Sequence, residues 1–144
     1  MAGTFHWYGL GLQKAVSGTI DLDTDTFKMM LTTSAYTPNI DTHDFRDDVT
    51  NEVTGTGYTA GGATLSGVGV TYDAASNQIR VTWTDPTWPT STITARTAVI
   101  YKSRGGASSA DELLAYVTES ADVTSTGATF TVDMANPALT LTVS

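Results

Sequence analysis

A chain of 144 residues with 7 Lys and Arg against 15 Asp and Glu has a formal net charge of −8, and only 15% of its residues are charged. Roughly one residue in five is Thr, whose β-branched side chain suits a pleated sheet better than a helix. This composition excludes a coiled coil, a helical bundle and a solvated charged tail, and it predicts one all-β domain. The bases are Lys14, Lys28, Arg46, Arg80, Arg96, Lys102 and Arg104, too scattered to neutralise a run of phosphates or an anionic bilayer. Neither nucleic acid nor membrane is an expected partner. There is no Cys, hence no disulfide frame and no thiolate metal site. The start, Met1 to Tyr8, lacks the basic and apolar parts of a signal peptide, and no apolar run approaches the roughly 18 residues of a membrane span. The expectation is a soluble protein.

Residues 1–18 read as an N-terminal arm or short helix. Leu12, Ala15 and Val16 fall at helical spacing, Gly9 and Gly11 weaken the helix, and Gly18 is placed to end it. Ile20, Leu22 and Phe27 to Leu31 suggest a strand interrupted by an acidic turn over 23–26. The run from Ser34 to Gly62 is loop-like, with a short helix expected near 43–49 capped by Thr42. Strands are expected over 63–72, 78–84, 93–102, 112–118, 128–134 and 138–143. Asp73 to Asn77 supplies turn chemistry, and Asp85 to Pro89 a break. Alternation places Ile79, Val81 and Trp83 on one face, and Phe130, Val132, Met134, Leu139, Leu141 and Val143 inward. The sum is about 7–8 short strands with turn signals spaced as in a single β-sandwich, jelly-roll or immunoglobulin-like, over 19–144.

Catalytic chemistry finds few candidates. The two histidines, His6 and His43, lie in the arm and in an acidic loop, and no nucleophile elbow, zinc-protease or phosphate-loop motif occurs. The glycines of 55–62 lack the Lys and the following helix of a phosphate loop, which leaves them a conformational role. Asp21, Asp23 and Asp25 begin as a calcium loop begins, but its sixth and twelfth positions hold Thr26 and Thr32 in place of Gly and Glu. A solvated turn is the competing reading. A cation around His43 with Asp41, Asp44, Asp47 and Asp48 competes likewise with a plain charged loop. No cofactor and no enzymatic activity are expected.

Aromatics supply the remaining signal. Phe5, His6, Trp7, Tyr8 and Leu10 crowd into the arm, either as a protein interface or as a plug over the core. Trp83 reads as core, and Trp88 sits between two prolines where sugar stacking, with Tyr58, is a further option.

The stretch GTIDLDTDTFKMMLTTSAYTPNIDTHDFRDDVTNEVTGTGYTAGGATLSG, followed by WTDPTWPTSTITARTAVIYK, resembles a group of small tailed-phage virion proteins. The resemblance runs from about Lys14 to Lys102, with Leu139 to Val143 also similar. It implies a capsid decoration (cement) protein on the capsid exterior, assembled in the host cytoplasm, and it brings no catalytic or metal residues. The implied partners are the major capsid protein and the chain itself, as a homo-dimer or homo-trimer. The contact is expected on Phe5, His6, Trp7, Tyr8 and Leu10, with Tyr36, Phe45 and Arg46 from the 36–46 loop. A tail or fibre module binding host glycan through Trp88 and Tyr58 is the alternative.

Overall fold

A computed structural model describes all 144 residues. Eight strands form: β1 (His6–Trp7), β2 (Phe27–Thr32), β3 (Ala63–Thr64), β4 (Gly69–Asp73), β5 (Gln78–Thr82), β6 (Thr87–Lys102), β7 (Leu113–Thr131) and β8 (Leu139–Thr142). One helix, α1 (Gly9–Val16), and single 3-10 turns at Arg46–Asp48 and Ser108–Ala110 complete the elements. The strands make a five-stranded sheet in the order β1-β7-β6-β2-β3 and a three-stranded sheet in the order β4-β5-β8. Every strand pairing is antiparallel. The result is the expected all-β, sandwich-like architecture, with a core of 22 buried residues that includes Phe27, Val81, Trp83, Ile100, Phe130 and Leu139. A second cluster of seven, including Tyr8, Met30, Tyr36 and Tyr101, lies on the other face of the large sheet.

α1 is weakened by Gly9 and Gly11 in its first turn, although Leu, Gln, Lys and Ala fill most of the rest, and it packs on β7. Gly11 is buried there, and a Cβ at this position would stand against the carbonyl oxygen of Leu113. The helix ends as Gly18 predicts. At φ +80° the glycine turns the chain so that Gly18 N–H reaches Ala15 O (3.4 Å) and Thr19 N–H reaches Lys14 O (2.9 Å), a Schellman closure.

Five expectations need correction. Ile20 and Leu22 lie in no strand, because the strand begins only at Phe27, after the turn of 21–25. The segment 119–127, polar on both faces, reads as a loop but is strand, because β7 runs unbroken beside β6. Pro89 lies inside β6 rather than in a break, accommodated at a register shift between Trp88 and Ser91 with Thr90 at φ 52°; Pro is tolerated at such bulges. Residues 63–72 are two strands in different sheets, since Gly67 at φ +64° turns the chain between them. The helix near 43–49 shrinks to the turn Arg46–Asp48, and Asp48 rather than Thr42 ties its entry, accepting from the N–H groups of Asp44 (2.7 Å) and Phe45 (3.2 Å).

The β6–β7 ribbon bends over the core. Ala2 N–H donates to Glu119 Oε1 (2.5 Å) and Ala2 also bridges Asp133. A straight strand would hold those two β7-side positions roughly 45 Å apart. The bend lets Trp88 and Phe130 (T-shaped, 6.0 Å) close the core at the far end of the ribbon from Tyr101 and Leu113.

Candidate functional site

The arm and the 36–46 loop, singled out separately in the sequence, meet in space. Gly9 N–H donates to Ile40 O (2.9 Å). The hydroxyls of Tyr8 and Tyr36 are 2.8 Å apart, and Tyr36 Oη lies 2.9 Å from His43 Nδ1. Lys14 pairs with Asp44 and stands over the Phe45 ring, 3.8 Å from its centroid. Arg46 pairs through Nε with Asp111 Oδ2 (2.9 Å) and lies over Tyr101 at 5.2 Å.

Burial divides this group. Phe5, Tyr8 and Tyr36 are inside the protein, so their side chains hold the arm down and cannot offer a contact. The plug reading accounts for them. Burial pushes the Tyr8 hydroxyl far above its ordinary pKa, with the hydrogen bond to Tyr36 acting in the same direction. His6 stays exposed beside Tyr116, whose ring is 5.7 Å away. Trp7, Leu10, Phe45 and Arg46 are half-buried, and Trp7 Nε1 donates to Thr140 O (3.4 Å) on β8.

The acidic candidates disperse. Asp21 Oδ1 accepts from the N–H groups of Asp23 (3.0 Å) and Thr24 (3.2 Å), and its bonds, the Thr24 side chain first, hold its carboxyl below the usual range. Asp25 Oδ2 accepts from Asp21 N–H (2.7 Å) and pairs with Lys102 Nζ (2.6 Å). Asp21, Asp23 and Asp25 therefore form a hydrogen-bonded turn. No three acidic or histidine side chains gather to hold an ion, there or around His43.

The two rings considered for glycan stacking pack on each other. Trp88 is buried between Phe130 and Tyr58, whose ring stacks on it at 6.1 Å. The Tyr58 hydroxyl donates to Glu52 Oε1 (2.8 Å) and accepts from Leu31 N–H (3.0 Å). Trp88 presents no free face, and the half-buried Tyr58 spends one face on Trp88.

Two features escape the sequence reading. The 103–112 loop is closed by a charge network: Arg104 Nε and Nη2 contact Glu112 Oε2 (3.0 Å) and Oε1 (2.6 Å), and Arg104 N–H donates to Asp111 Oδ1 (2.8 Å). Burial works to raise the Glu112 pKa, but the Arg104 hydrogen bond and charge outweigh it and hold the carboxyl below the usual range. The second feature is on the small sheet. Leu139 is buried as expected, but Leu141 is only half-buried and Val143 is exposed, as are Val70 and Tyr72 on β4. Register pairs Tyr72 with Ile79 and Ile79 with Leu141, so these residues share one inward-pointing face that overhangs the core.

These features define an antiparallel, sandwich-like β protein whose charged and aromatic side chains mostly bind one another. The chain matches no protein-family model, no curated protein and no solved structure. None of its helices is long and apolar enough to cross a membrane.

Proposed function

We propose that this chain is a non-enzymatic structural protein of a tailed-phage virion that decorates the capsid and bridges neighbouring major capsid protein subunits. The observation that carries the reading is the resemblance of residues 14–102 to small virion proteins. The tied-down character of the loops supports it: six of the seven bases form ion pairs within the chain, and no buried polar side-chain atom lacks a partner. A body so internally satisfied can keep its shape while its loops and edges take contacts, and modest contacts repeated around a symmetric shell add through avidity. The test is co-sedimentation of purified protein with shells lacking it, with gold labelling of whole particles. Saturable binding over the head is expected, whereas label confined to the tail, or turnover of an envelope polysaccharide, would refute it.

A further inference from the structure

The molecule exposes five large apolar side chains, Val16, Ile40, Val70, Tyr72 and Val143. Val70, Tyr72 and Val143 share the overhanging face of the small sheet, and Val16 ends the helix beside it. Under Val70 opens a cleft of about 300 Å³ whose walls are Ala15, Ile20, Leu22 and Val70, with Asp21 and Asp23 at its rim. β4 is the terminal strand of its sheet and pairs only with β5, so its outer backbone N–H and C=O groups have no strand beside them. Proteins usually guard such an edge with Lys, Pro or a covering segment; β4, Gly69-Val70-Thr71-Tyr72-Asp73, has neither Lys nor Pro. The opposite edge strand, β8, is approached by Trp7.

We propose that the cleft between β4 and residues 15–23 is a strand-addition site for an extended segment of a partner protein that alternates apolar with basic side chains. Main-chain hydrogen bonds along β4 would supply register, and the apolar walls would take every second side chain. The rim sets the charge of the partner. Asp21 spends its carboxylate on backbone N–H groups, and neither it nor Asp23 makes an ion pair, so two unpaired carboxylates border the entrance. A second copy would bring the same two carboxylates and its own net charge of −8 to the contact, which like-charge repulsion opposes. The adhesive reading enters only as the source of the segment, the shell subunit.

The experiment has two arms. In the first, backbone amide resonances of the whole protein are followed while adding the peptide Thr-Val-Lys-Val-Lys-Val-Thr or its counterpart with Asp for Lys. Expected are shifts confined to β4 and 15–23 with the Lys peptide alone, and affinity falling about tenfold between low and high salt. Val70→Asp should abolish the shifts, and the exposed Asp23→Lys should weaken binding without touching the core. Shifts elsewhere, no shifts, equal binding of the Asp peptide, or a concentration-dependent dimer removed by Val70→Asp would overturn the proposal. In the second arm, shells lacking the protein receive wild type or Val70→Asp. Binding retained by the variant separates the cleft from the shell and leaves the adhesive reading standing. Failure of the wild type sinks the adhesive reading, and the peptide titration still decides the cleft.

Discussion

Gly11 shows how a residue's meaning can reverse between sequence and structure. In an isolated helix Gly costs up to about 1 kcal/mol relative to Ala, so Gly11→Ala ought to stabilise α1. In the protein, the Cβ would collide with the backbone of Leu113 and Leu114, and neither can move without disturbing β7. Gly11→Ala is therefore expected to lower stability by about 2 kcal/mol in denaturant titration, while the exposed Gln13→Ala stays within about 0.5 kcal/mol. The Tyr8 hydroxyl is a second such case. Tyr8→Phe removes one member of the Tyr8–Tyr36–His43 chain and should cost about 1 kcal/mol. Tyr36 keeps His43 as a partner, which limits the loss.

At the level of elements, the arm is structural. β1 pairs His6 with Tyr116 and Trp7 with Ala115, and Phe5 belongs to the main core. Deleting residues 2–8 should lower the melting temperature markedly, so loss of shell binding by that variant would report unfolding unless circular dichroism shows an intact fold. The 103–112 loop is held by Arg104 and Glu112. With its folded pKa below the ordinary Glu value of about 4.3, Glu112 contributes stability that is present above that pH and lost as pH falls through the folded value. Glu112→Gln should be less stable than wild type at neutral pH and should lose less on acidification below about pH 4. Thermal melts across that range check both. Strand β5 was legible because Ile79, Val81 and Trp83 alternate with polar residues. The middle of β7 was not, because Glu119 to Gly127 offers hardly any apolar face and is strand only through its pairing with β6.

Across the whole molecule, five of the six tyrosines have hydroxyls pushed above the ordinary tyrosine range, by burial first in each case. For Tyr101 the value rises to about 12, with Arg46 pulling against it. Because the folded value is the higher one, this stability is complete below the unfolded pKa of about 10 and is lost as pH rises beyond it. Alkaline titration should therefore show much of the tyrosinate absorbance appearing together with loss of far-ultraviolet β signal. A smooth titration of all tyrosines in the folded state would contradict this packing.

The candidate site was legible in part. The aromatics of the arm and of the 36–46 loop did mark residues that meet, but composition could not distinguish a ring that covers the core from one that contacts a neighbour. By itself the sequence determined what depends on neighbours along the chain: the β class from its threonines, the faces of β5 and β8 from alternation, the end of α1 from Gly18, and the lack of a basic footprint. Only the tertiary structure decided what depends on residues distant in the chain. It bent the β6–β7 ribbon, closed Trp88 and Tyr58 against each other, and left Val70, Tyr72 and Val143 uncovered. Alternation fixes which way a side chain points, whereas exposure depends on whether another sheet extends far enough to meet it.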